Sequence, residues 1–361
     1  MSTCCCPDIN GIENLVLLDT CSGNVDGYCF LLFEKNKKFP EIVAKIARTT
    51  PGKKIYNTEF ENLQILENTG LNSPVQTVPK PLGKWEVDDV LITFQDALQG
   101  PLMKNVPGKI IFSSSNVLRN LSSVTKWLNT FQSNFGILQK KMTETFYKNT
   151  VLKSIYTFLN RYLISEADMK FLINRFEKKS SLQGQTIPFV VRHGDFCTAN
   201  IIMQIDSIGV IDWEFALRPY FPLFDLFYFL SSVRYPFHGY QSESNHFDSF
   251  ISVFWGRNYF NESVRMIIRE TCETLGIPEN IVHDFFLLSL IDVANMKYQR
   301  LEESNCVYWE IDSETIISEH EKIKRWEKLT GVEMDAPFAR IRKGVFENIR
   351  FVVNKGFPDL F

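Results

Sequence analysis

The stretch His193-Gly194-Asp195-Phe196-Cys197-Thr198-Ala199-Asn200, with Ile211-Asp212-Trp213-Glu214 downstream, gathers side chains able to do chemistry. An ionised Asp offers hard oxygen ligands to Mg²⁺, and an Asn carbonyl adds another without adding charge. Such an ion keeps several waters and shares the phosphates of its substrate. A further Asp, close by but off the metal, can accept the proton of an attacking hydroxyl. Asp195 as base, with Asn200 and Asp212 as metal ligands, would make a phosphoryl-transfer site. The same residues could also be ordinary polar positions of a β-hairpin.

The flanking residues supply the hairpin. Ile187-Pro188-Phe189-Val190-Val191 reads as a buried strand entering a loop at His193. Asn200 to Ile205 reads as a second strand, Asp206-Ser207 as a turn, and Ile208 to Ile211 as a returning antiparallel strand. Closing that hairpin sets Asn200 beside Asp212 and leaves Asp195 on the loop before them.

These motifs resemble the catalytic loop and metal-binding segment of the aminoglycoside phosphotransferase and choline kinase family. Its members are small-molecule kinases that share the protein kinase fold. The interval from Asp195 to Asn200 is also that of the protein kinase loop H-R-D-x-x-x-x-N, with Asp212 standing where D-F-G has its Asp. The resemblance implies an α+β, bilobal, protein kinase-like fold with a small β-rich N-terminal lobe and a larger, mainly helical C-terminal lobe. It further implies a lysine on the third strand and a helix whose glutamate pairs with it.

The N-terminal residues fit this expectation. Asn14 to Leu18 and Tyr28 to Phe33 read as strands around a turn at Cys21 to Gly27, and Glu41 to Ala47 reads as an apolar strand carrying one cation, Lys45. Alone, Lys45 could be a solvated strand position or a phosphate ligand; its place after the hairpin favours the second. Phe60, Leu63 and Leu66 recur at helical spacing, and aligning them selects Glu59 over Glu61 as the partner of Lys45. The G-x-G-x-x-G of protein kinases is absent. Ser22-Gly23-Asn24 instead resembles the shorter phosphate loop of the small-molecule kinases, although an ordinary hairpin loop has the same composition. Asp89 to Ala97 reads as a strand breaking into the connector between lobes, where the resemblance makes Phe94, Gln95 and Asp96 candidate adenine contacts through their backbone. In Pro222 to Leu230, an apolar helical run, Asp225 carries a structural role by resemblance, capping the backbone of the catalytic loop. His193 reads as a packed histidine tying that loop together.

Composition sets outer bounds. With 361 residues and 45% hydrophobic content the chain can bury a large core in two lobes. The expected division is a tail over 1–10, a nucleotide-binding lobe over 11–96 and a catalytic, substrate-binding helical lobe over 97–361. A net charge of −3 gives no reason to expect a nucleic-acid partner. No apolar run reaches the roughly 18 residues of a membrane span, and no secretory leader pattern opens the chain. Eight cysteines, three of them adjacent at Cys4-Cys5-Cys6, suggest reduced thiols and a cytoplasmic location.

The expected cofactors are ATP, with GTP an alternative, and Mg²⁺; the expected partner is a small-molecule hydroxyl acceptor. That acceptor should lie against the C-terminal helices. The acidic positions from Glu302 to Glu321 could attract a cationic amine, though a solvated acidic face has the same composition. Tyr308, Trp309 or Trp255 could furnish an aromatic cage. Two other classes compete: a kinase-shaped nucleotide-binding scaffold without turnover, and a metal-dependent phosphoester hydrolase built on His193, Asp195 and Asp212. The full set of Lys45, Asp195, Asn200 and Asp212 disfavours the first; Lys45 and Glu59 have no task in the second. A protein kinase proper would need an A-P-E segment after Asp212, and none follows.

Overall fold

The computed structural model describes residues 11–18, 27–68, 77–106, 116–162, 165–178, 180–233, 245–304 and 347–361. Alternating apolar residues at the N-terminus build strands β1 (Ile12–Leu18), β2 (Gly27–Glu34), β3 (Ile42–Ala47), β4 (Pro81–Val87) and β5 (Val90–Asp96). They form one antiparallel sheet in the order β1-β2-β3-β5-β4. Helix α1 (Thr50–Glu67) packs against β3, β4 and β5 and buries Phe60, Leu63 and Leu66, the two leucines joining the large core. It begins earlier than its apolar spacing indicates, because the Thr49 side chain caps it by accepting from the Gly52 N–H and a proline occupies its first turn.

Register decides which side chains share the face of Lys45. Paired residues on neighbouring strands share a face. Lys45 pairs with Cys29 and Thr93, and Val43 with Leu31 and Gln95, so these residues share one face. Leu32, Ile42, Ala44 and Phe94 form a separate apolar cluster on the other.

The remainder is mainly helical: α2 (Val117–Asn134), α3 (Glu144–Tyr147), α4 (Lys153–Arg161), α5 (Glu166–Ile173), α6 (Phe224–Ser232), α7 (Asn245–Trp255), α8 (Tyr259–Leu275), α9 (Val282–Ser304) and α10 (Glu347–Lys355). Their apolar stripes merge into one large core that includes Phe131, Phe196, Trp213, Phe227 and Phe286. Two small sheets carry the functional segments. Strand β7 (Thr186–Arg192) lies between β6 (Leu138–Lys141) and β10 (Arg218–Tyr220), and β8 (Ile201–Met203) pairs with β9 (Ile208–Val210). The molecule is therefore bilobal and α+β, with a β-rich N-terminal lobe and a helical C-terminal lobe.

The connector after β5 is docked on the β8–β9 hairpin, where the Met203 N–H donates to the Pro101 carbonyl at 2.9 Å. Gly100 (φ +135°) makes this approach possible: a Cβ there would stand 2.2 Å from the Met203 carbonyl oxygen. No helix among the described residues is long and apolar enough to cross a membrane.

Candidate active site

The loop from His193 to Asn200 is held by buried hydrogen bonds to its backbone. Asp225, on the first turn of α6 and fully buried, accepts from the N–H groups of His193 (2.7 Å) and Gly194 (3.0 Å). Burial pushes the Asp225 carboxyl up, and His193 and the two amides offset that in part. The His193 Nδ1 accepts from the Asp195 N–H at 3.2 Å, so its Nε2 carries the proton and donates to the Ile211 carbonyl at 3.1 Å. Burial also lowers the His193 pKa, in keeping with a neutral ring that is fully used as a tie. Gly194 sits at φ +87°, and a Cβ there would lie 2.8 Å from both the Cβ and the carbonyl oxygen of Phe215.

Asn200 follows directly. Its Nδ2 donates to the Asp195 carbonyl at 2.9 Å, and its own carbonyl accepts from the Ile211 N–H at 3.0 Å. The hairpin thus places Asn200 next to the segment bearing Asp212, and the carboxamide oxygen Oδ1 is not used in that bond. Asp212 adopts the left-handed region with φ 65°, a conformation that is costly for a residue with a Cβ and found where a site over-determines it.

Three distant stretches meet at Lys45. Its Nζ lies 2.7 and 2.8 Å from the two Glu59 carboxylate oxygens and 2.6 Å from Asp212 Oδ1. Lys45 and Glu59 are buried, whereas the Asp212 side chain is 28% exposed. Burial alone would favour a neutral amine; the charges of Asp212, Glu59 and Glu214 outweigh it and hold the Lys45 pKa well above its ordinary value. Glu59 is raised by burial and by Asp212 against the pull of Lys45.

Glu214 has no role assigned by the sequence reading, although it stands in the same Ile211 to Glu214 motif. Its carboxyl is pushed up to about 8, first by burial and then by repulsion from Asp212 and Glu59. Glu59, Asp212 and Glu214 each offer a carboxylate oxygen within 4.8 Å of the others. The signal that could have marked Glu214 is the proximity of a second carboxylate, two residues after Asp212, in an otherwise apolar stretch. Hard oxygen donors whose mutual repulsion a dication would relieve suit Mg²⁺.

The connector residues divide. Gln95 is buried on the face of Lys45, and Phe94 stands on the opposite face among Leu32, Ile42 and Ala44. Both belong to β5, a strand hydrogen-bonded on both sides. The Asp96 N–H donates to the Lys80 carbonyl at 3.0 Å, and its Oδ1 accepts from the Lys80 N–H at 2.5 Å. Ser22, Gly23 and Asn24 lie outside the described residues, as do Cys4 to Cys6, Tyr308, Trp309 and Glu310 to Glu321. Trp255 packs edge-on against Phe351 with ring centroids 4.9 Å apart, in the C-terminal core.

Fold and site together define a phosphotransferase of the small-molecule kinase class. A family model described as "Phosphotransferase enzyme family" matches residues 30–244, and the chain belongs to that family. Among solved structures, it is similar to a macrolide 2′-phosphotransferase from Brachybacterium faecium, with 12% identity, 94% of this chain and 93% of that one covered, and a TM-score of 0.50. At that identity the likeness speaks to the fold. A choline kinase from Cryptosporidium parvum Iowa II matches at 11% identity and a TM-score of 0.45, covering 96% of this chain and 91% of the other. Comparison of the sequence with curated proteins gives no match.

Proposed function

We propose that this protein transfers the γ-phosphate of ATP to a hydroxyl of a small metabolite, such as a sugar, an amino alcohol or an aminoglycoside-like acceptor, in a Mg²⁺-dependent reaction. The observation that carries this reading is Lys45 bridging Glu59 and Asp212 from separate parts of the chain, with Asn200 bonded to the Asp195 carbonyl and to the backbone just before Asp212. Asp212 and Asn200, with Glu214 close by, would hold Mg²⁺. Bound there, the ion would neutralise charge on the phosphates. Lys45, oriented by Glu59, turns from Asp212 to the nucleotide phosphates. Asp195 orients the acceptor hydroxyl and takes its proton. Gln95 shares the Lys45 face with Val43. The Asp96 and Ala97 N–H groups already donate to the Lys80 and Glu41 carbonyls, so of the expected stretch Phe94 to Asp96 the N–H of Asp96 is not free for adenine, and the backbone beyond Ala97 reads it. Ser22, Gly23 and Asn24 cover the phosphates in this reading.

A thermal-shift titration with ATP and GTP, with and without Mg²⁺, tests the nucleotide site without an acceptor in hand. The expected result is a rise in melting temperature that requires Mg²⁺ and disappears in Asp212→Ala. No shift with either nucleotide at millimolar concentration would sink the kinase reading. Cleavage of a phosphoester without ATP would replace it with the hydrolase.

A further inference from the structure

Helix α1 contributes more than Glu59. One turn later, Asn62 is buried, and its Nδ2 donates to the Trp213 carbonyl at 2.7 Å. The N–H of the same tryptophan approaches Glu59 Oε1 at 3.4 Å. Positions three apart lie on one face of a helix, so α1 meets both backbone groups of Trp213. The side chain of Trp213 is equally fixed. Its Nε1–H donates to the Val210 carbonyl at 2.9 Å, and its ring packs edge-on against Phe131 and His193, with centroids 5.3 and 4.5 Å apart.

Asp212 immediately precedes this anchored residue and holds φ 65°. A left-handed Asp persists only where its surroundings impose that conformation. Asn62 also lies beside Leu63 and near Leu66, where an apolar side chain would be buried without the cost that a polar one incurs unless it is hydrogen-bonded. Its specific partner is the Trp213 carbonyl.

We propose that Asn62 is a positioning residue for Asp212: by clasping the Trp213 peptide from α1, it maintains the left-handed turn that aims the Asp212 carboxylate at Lys45 and the cleft. The helix that orients Lys45 through Glu59 then also orients the metal ligand. The inference rests on the reading of Asp212 as a Mg²⁺ ligand.

The test compares wild type, Asn62→Leu and Asp212→Ala by calorimetric titration of ATP with Mg²⁺ and with EDTA. In Asn62→Leu, metal-free affinity should stay within about twofold, while the gain that Mg²⁺ confers should shrink about tenfold or more, because the Trp213 carbonyl loses its buried donor. Hydrogen exchange without any ligand should quicken over 211–215 and stay unchanged over 193–197, which Asp225 braces. Asn62→Ala, which adds no bulk, must show the same pattern; it stands in if the leucine disturbs packing. A Mg²⁺ gain equal to wild type, or uniform loss of metal-free affinity and exchange protection, overturns the proposal. A wild type that gains nothing from Mg²⁺, like Asp212→Ala, overturns the metal-ligand reading beneath it.

Discussion

Asp225 and Asp212 are treated differently by the same fold. Asp225 accepts two consecutive backbone amides within its own lobe and is wholly buried. Asp212 is partly exposed and faces a lysine 167 residues away in the other lobe. The first arrangement is fixed, because backbone amides have nowhere else to go and burial excludes water as a substitute. The second is exchangeable in the proposed reaction: a cation bound between two carboxylates would pass from Asp212 to a phosphate while Glu59 still holds it. The loop from His193 to Asn200 is thus a fixed frame, and the Lys45 cluster is a set of charges partly open to solvent.

The largest expected effect separates side chain from frame within the loop. Asp195→Asn keeps the Asp195 N–H and carbonyl that bond to His193 and Asn200, so its melting temperature should match wild type while turnover falls by roughly 10²- to 10⁴-fold. Near-normal turnover would remove Asp195 from the chemistry. Asp225→Ala attacks the frame itself. Two buried amides would lose their acceptor, each at about 1–3 kcal/mol, so the urea midpoint should drop and kcat should fall with ATP affinity kept. If stability is unchanged, the contrast between the two aspartates fails.

The smallest effect probes the exchangeable charges through pH. With Glu214 pushed up to about 8, the folded protein retains a proton that the unfolded chain releases in the ordinary carboxylate range. Stability from this group is therefore fully present at acid pH and is lost as pH rises toward 8. Glu214→Gln removes that slope, so the variant should gain a few degrees in melting temperature on wild type between pH 5 and pH 8.5, in the absence of Mg²⁺. A difference that is the same at both pH values would show that Glu214 is not held protonated by its neighbours.

Much of the frame was legible in the chain. The interval from Asp195 to Asn200 and the hairpin that follows are local, and turn chemistry with a period of two brings them together over a dozen residues. The Lys45 strand and the α1 helix were readable from apolar spacing, although the start of α1 was not, because Thr49 and the proline after it set that boundary. Glu214 escaped notice because its character comes from crowding beside Asp212 and Glu59; the carboxylate two residues after Asp212 marks the position, but only the fold brings Glu59 to it. Phe94 and Gln95 show the same limit at the scale of one residue. Both belong to β5, but pairing with β3 puts only Gln95 on the face of Lys45, and a register shift of one would exchange them.

By itself the sequence determined what depends on near neighbours: the β1–β2 hairpin and the Lys45 strand, the loop from His193 to Asn200 with the hairpin after it, and the amphipathic helix that bears Glu59. Tertiary structure alone decided which distant groups meet. Lys45 finds Asp212, and Asn62 finds Trp213 across 151 residues, because the two lobes pack and desolvate these groups together. A contact of that kind has no period along the chain. It is selected by the cost of leaving a buried charge or carbonyl without its partner.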